Sequence, residues 1–193
     1  MSAVDVIDDV SGSSMEWTTE MKSYSLNDWN GRSISILLPT GTEYSRGQIT
    51  TKTENGYSSR PDLVDASPGI PVPASGKVSL SMSVHTSRKN GDTVTTSKVT
   101  QMAAVSLSLL PTSKEEFLSQ LKKKSVQVIS ETENALITTT KSNDYFMSNS
   151  LVKTIVFDNV VLQIQTPMLR LDKTPAPQLP MYQLFKRIEV QNP

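Results

Sequence analysis

Few side chains in this 193-residue chain are equipped to do chemistry, and they do not cluster in the sequence. There is one histidine, His85, and there are no cysteines. A lone histidine cannot make the histidine pair of a zinc site, and thiolate ligands, disulfides and cysteine nucleophiles are excluded. A serine nucleophile on a strand-to-helix elbow is marked by Gly-x-Ser-x-Gly, which is absent. His85 stands on the polar side of an alternating run, where a solvated or hydrogen-bonded side chain is a plainer reading than a catalytic base. The adjacent carboxylates Asp8-Asp9 and Glu115-Glu116 lie in an acidic N-terminal stretch and at a helix start. Neither is a place where two carboxyls face each other across a bond to be cleaved. The eight glycines form neither phosphate-cradling pattern, G-x-x-x-x-G-K-[ST] or G-x-G-x-x-G. The chain therefore reads as non-enzymatic, with no cofactor.

What remains is charge and aromatic surface. Nineteen basic and 19 acidic residues cancel, so the global basic balance that marks a nucleic-acid or anionic-membrane partner is missing. Two local basic clusters stand out: Arg88-Lys89, and Lys122, Lys123 and Lys124. They are the candidate nucleic-acid-binding residues, able to contact phosphates. The plainer alternative is a solvated turn and a helix end, with the lysines discouraging edge-to-edge strand pairing. Lys141, Lys153, Lys173, Lys186 and Arg187 are dispersed. Trp17 and Trp29 could stack bases, although such residues more often anchor a core.

The elements that must carry these residues are mostly strands. Residues 76–110 read GKVSLSMSVHTSRKNGDTVTTSKVTQMAAVSLSLL. Val78, Leu80, Met82 and Val84 alternate with serines and His85, and Val105, Leu107 and Leu109 alternate with Ser106 and Ser108. Each run presents one apolar and one hydroxyl face. Asn90-Gly91 between them suits the positive φ of a tight turn, so the segment is predicted to be one long antiparallel hairpin with Arg88-Lys89 at its tip. Residues 33–38 read as a strand with 48–52 as its partner, and 136–140, 152–157 and 159–165 as further strands, the last ended by Pro167. Residues 57–76 contain Pro61, Pro68, Pro71 and Pro73 and read as a surface loop. A second proline-rich excursion spans 172–180. Thr112 or Ser113, with Glu115 or Glu116 three residues on, caps a predicted helix over 113–124. Phe117, Leu118 and Leu121 form its buried stripe, and acids at its start and lysines at its end suit the helix dipole. Residues 125–135 and 182–190 fit either strand or helix.

The expected fold is mainly β, an antiparallel sandwich or jelly-roll-like pair of sheets with one principal helix near 113–124. Residues 1–15 form a flexible acidic arm, or one that docks on a neighbouring subunit, and 16–193 form a single domain. No stretch approaches the ~20 apolar residues of a membrane helix. The acidic N-terminus lacks the pattern of a secretory leader, so a soluble chain is expected.

The order in 76–121 is a strand, a polar turn, a strand ending AVSLSLL, then PTSKEEF opening a helix. It resembles the coat proteins of single-stranded RNA viruses, most nearly those of small RNA bacteriophages. The resemblance implies a self-assembling virion component whose partners are copies of itself, other virion proteins and single-stranded RNA. It implies RNA on a sheet face, a helix that interlocks with a partner, and a location in the virion, with host cytoplasm during assembly. The chain departs from that pattern in its length, its acidic N-terminus and its proline-rich excursions. No residue-level site carries over.

Overall fold

Alternation with a period of two is what a strand with one buried face writes into a sequence, and most of this chain follows it. The structure, a computed structural model, describes residues 6–8, 14–141, 149–168 and 180–191. The first described strands are β1 (Val6–Asp8), β2 (Ser14–Trp17), β3 (Met21–Trp29), β4 (Arg32–Pro39), β5 (Glu43–Thr53), β6 (Gly56–Asp65) and β7 (Ile70–Pro71). The central pair is β8 (Lys77–Asn90) and β9 (Thr93–Leu109), followed by helix α1 (Lys114–Lys124). Then come β10 (Gln127–Glu131), β11 (Ala135–Lys141), β12 (Asn149–Phe157), β13 (Val160–Met168), helix α2 (Pro180–Arg187) and β14 (Glu189–Gln191).

The strands form two sheets. The larger runs β1-β2-β8-β9-β13-β12-β11-β10, with β5 also joined to β8 and β6 to β5; the smaller runs β14-β4-β3-β7. All pairs in the larger sheet are antiparallel. Leu80, Met82 and Val84 of β8, Val105 and Leu107 of β9, and Leu162 and Ile164 of β13 face one interior with Leu26, Ile36 and Leu38 of the smaller sheet. α2 closes this interior: Met181, Tyr182, Leu184 and Phe185 are buried in the same core, and the Arg187 guanidinium stacks over the Trp17 ring at 4.2 Å. The fold is thus a mainly antiparallel β, sandwich-like one.

The long hairpin is present as predicted, closed by a two-residue loop between Asn90 and Thr93. Gly91, at the first central position, has φ +61°, as a type II′ turn requires. At its other end β8 is entered through Gly76, whose φ is +75°. The Leu107 amide donates to the Gly76 carbonyl at 2.7 Å. Thr19 ties β2 to this hairpin: its hydroxyl donates to the His85 carbonyl at 2.9 Å and accepts from the His85 amide at 2.7 Å.

Several expectations are corrected. Residues 57–65 are not loop but most of strand β6. Pro61 fits there because it stands opposite Gln48, where the register shifts, and because β6 pairs with no described strand but β5; a missing N–H on an edge strand costs no ladder bond. Residues 48–52 pair with β6, not with 33–38, whose neighbours are β3 and β14. Pro167 does not end its strand but pairs with Ser150 inside it. The open segment 182–190 proves to be both, helix over 180–187, which enters the core, and strand over 189–191. The ambiguous 125–135 contains β10 and a turn. Of the N-terminal arm, the described part pairs with its own chain, β1 on β2 and β2 on the edge of β8. The 172–180 excursion lies outside the described residues except at Pro180, the first residue of α2.

α1 has the expected caps. The Ser113 hydroxyl accepts from the Glu116 amide at 3.2 Å, and the Ser125 hydroxyl donates to the Leu121 carbonyl at 2.7 Å. Its stripe is not buried, however: Phe117, Leu118 and Leu121 are half-buried and stay outside the main core. The helix lies against β11. Leu136, Val152, Val156 and Val161 are buried but do not join the main core either, so they form a thinner apolar layer on the opposite face of the larger sheet. Ser113→Ala, which removes the cap of a helix with little packing to hold it, should cost about 1 kcal/mol. Urea unfolding of the two proteins measures this; an unchanged midpoint would mean that the cap is idle.

Candidate functional site

The basic residues singled out by sequence fall into two separate places. Arg88 and Lys89 pair with Thr95 and Val94 near the hairpin tip, and both are exposed. Lys122, Lys123 and Lys124 end α1, which follows the far end of β9. Thr95 and Leu109 are separated by roughly 45 Å of extended strand, and α1 lies on β11, four places from β8 across the sheet. The two clusters do not form one phosphate-binding track. Lys122 forms an ion pair with Glu131, while Lys123 and Lys124 are exposed. The tryptophans do not serve as a base-stacking platform, because Trp17 and Trp29 are buried in the core. His85 is exposed, and its backbone rather than its ring is engaged by Thr19. Among the described residues no three His, Asp or Glu side chains converge to hold a metal ion, and no helix is long and apolar enough to cross a membrane.

Two ribbons leave the body. Residues 50–60 of the β5–β6 hairpin are exposed without exception, as are 88–100 of the β8–β9 hairpin. Tyr57 is 76% exposed and Val94 61%. From Gln48 opposite Pro61 to Thr53 opposite Gly56, the β5–β6 ribbon pairs with no third described strand. It carries the hydroxyls of Thr50, Thr51, Ser58 and Ser59 together with the charges of Lys52, Glu54 and Arg60.

Among the concavities of the described residues, two bear on a candidate site. The larger, about 940 Å³, lies at the base of the β5–β6 ribbon against the polar side of the central strands, where Ser79, Ser106, Gln163 and Gln165 form its floor. Arg46 on its wall is held by Asp62 at 2.9 Å. The groove is open and polar. The smaller cavity, about 360 Å³, opens between the β10–β12 end of the large sheet and β14 of the small one. Ile137, Ile155, Phe157, Ile188 and Val190 give it apolar walls, and Lys153, Lys186 and Glu189 bring charge to it.

Lys153 is the residue that sequence reading passed over. It occupies an inward position of β12, in line with Leu151 and Ile155, and is 7% exposed. Its ammonium donates to the Phe185 carbonyl at 2.7 Å and the Ile188 carbonyl at 2.5 Å. These are carbonyls at the C-terminal end of α2, where a helix leaves acceptors unsatisfied and favours positive charge. Burial lowers the Lys153 pKa from 10.5 to about 8, with the Glu189 carboxylate pulling the other way. The signal was available: a single lysine on the apolar side of the run Asn149–Phe157 must be either solvated by a cavity or neutralised by partners.

No protein-family model matches the chain, and no curated protein or solved structure matches it.

Proposed function

We propose that this chain is a non-enzymatic structural protein that assembles with copies of itself, as the subunit of a virion coat does. The observation that carries this reading is the β5–β6 ribbon. An isolated two-stranded hairpin is marginally stable in water, and an uncovered strand edge pairs readily with another chain. A ribbon of this length, exposed throughout and with no described strand beside it, is the form expected of an intersubunit arm. The resemblance of 76–121 to viral coat proteins supports the virion setting, with other virion components as further partners and host cytoplasm as the place of assembly.

The test is light scattering across a concentration series, for the full chain and for a variant in which residues 50–59 are replaced by a two-residue Asn-Gly turn. The full chain should form oligomers or particles, and the shortened chain should remain folded but dissociate at concentrations at least about tenfold higher. A full chain that is strictly monomeric at high concentration would remove the proposal.

A second reading, binding of single-stranded RNA, is favoured by the exposure of Arg88 and Lys89 on the other ribbon. It predicts binding that weakens steeply with salt. Replacing both residues by alanine should lower the slope of log K against log[salt] by about 1.4, at ~0.7 per phosphate contact on a single strand. An unchanged slope would take the ribbon tip out of any RNA interface.

A further inference from the structure

The 360 Å³ cavity and the lysine in its wall are not needed for assembly through the ribbons, and their chemistry is specific. An ammonium has three N–H donors. Two of those on Lys153 go to the Phe185 and Ile188 carbonyls, and the third finds no acceptor among the described residues. The side chain is nearly removed from water and borders a cavity whose other walls are mainly aliphatic and aromatic. We infer that this cavity binds a medium-chain monocarboxylate, its hydrocarbon tail against Ile137, Ile155 and Phe157 and its carboxylate on the Lys153 ammonium.

Size, charge and polarity agree. At the ~30 Å³ that one water occupies in the liquid, the cavity has room for roughly a dozen non-hydrogen atoms, the size of decanoate. The charged groups around it are Lys153 from β12, Lys186 from α2 and Glu189 from β14. Their formal charges sum to one positive, and an anion completes the balance. Ser130, Thr132 and Asn134, from β10 and the turn after it, add hydroxyl and amide groups to the lining. A polyanion such as a phosphate ester is disfavoured, because one spare donor beside a carboxylate cannot satisfy two or three anionic oxygens. Burial, only partly offset by the Glu189 carboxylate, already lets Lys153 lose its proton near pH 8. A bound carboxylate favours the charged form, so binding at mildly alkaline pH must take up a proton.

The test is calorimetric titration of decanoate into the full chain at pH 8.5, in two buffers of different ionisation enthalpy. Saturable one-to-one binding is expected, with uptake of a substantial fraction of one proton. Decanol and decyltrimethylammonium, of the same chain length, should bind at least about tenfold more weakly, as loss of a charge-assisted hydrogen bond implies. Lys153→Met should weaken decanoate binding by a similar factor and abolish the proton uptake. Decanoate that fails to bind, binds no better than decanol, or binds without proton uptake would overturn the inference. If Lys153→Met does not fold, proton uptake by the unaltered chain decides the matter alone.

Discussion

Lys153→Met should flatten the rise in stability that the unaltered chain shows between pH 8 and 10.5. In the folded protein the ammonium of Lys153 has a pKa of about 8, against 10.5 for a free lysine. Below pH 8 both states carry the charge, and the folded state bears the cost of holding it out of water. Between the two values the unfolded chain keeps a proton that the folded chain has released, so stability increases with pH. Above 10.5 the penalty is gone. The window is worth ~3 kcal/mol at 1.36 kcal/mol per pK unit. Methionine keeps the apolar stem and cannot titrate, and other lysines and tyrosines contribute equally to both proteins. The difference between the two pH–stability curves therefore isolates Lys153, provided that distant sites act independently. Absolute stability at neutral pH is a poorer reading, because methionine removes both a buried charge and two hydrogen bonds to α2. Parallel curves for the two proteins would place the Lys153 ammonium in ordinary contact with water.

Gly76→Ala should be among the most damaging conservative changes in the chain. A β-carbon there would stand 2.2 Å from the Leu107 carbonyl oxygen and 3.1 Å from Nε1 of Trp29. The first is backbone inside the largest sheet and has nowhere to move. The left-handed φ adds a cost of its own for any residue with a β-carbon. Together these should cost at least ~3 kcal/mol, the range of overpacked or strained sites. Gly91→Ala is the control. It has a similar φ of +61° but nothing within 4 Å of the new atom, so only the conformational penalty of ~1 kcal/mol applies. Urea unfolding of both variants separates the two effects. Equal losses would show that φ alone matters and that the approach of Gly76 to Leu107 is not a constraint.

Much of this fold is legible in the amino-acid sequence, for a physical reason. A strand with one face in a core must alternate, and Val78, Leu80, Met82 and Val84 do so without interruption. Asn90-Gly91 marks the site of the hairpin turn to within one residue, the loop itself being Gly91-Asp92, and Ser113 with Glu116 fits a helix cap. The neighbours of each strand are a different matter. A period of two records which face is buried but not which strand lies alongside, so nothing in β9 announces β13 as its partner. Pro61 misled because proline forbids a strand only when its N–H is needed for pairing, and that depends on what lies beyond the edge. Lys153 looked like one of several scattered charges. Its meaning comes from the end of α2, more than 30 residues later, which places two carbonyls within reach of its ammonium. The basic clusters were found by type and spacing, but spacing in sequence did not show that the longest strand in the protein holds them apart.

The two exposed ribbons have a consequence for how such a chain can change. Each is closed by a two-residue loop, Glu54-Asn55 in one and Gly91-Asp92 in the other, and neither tip contributes to the core. Adding or removing one residue on each side of a loop leaves every inward side chain of the body where it was and alters reach by roughly 3.4 Å. In an assembly of the kind proposed, the ribbons would act as adjustable rulers: descendants of one body could set different centre-to-centre spacings between neighbours, and so different lattice curvatures, by editing hairpin length alone.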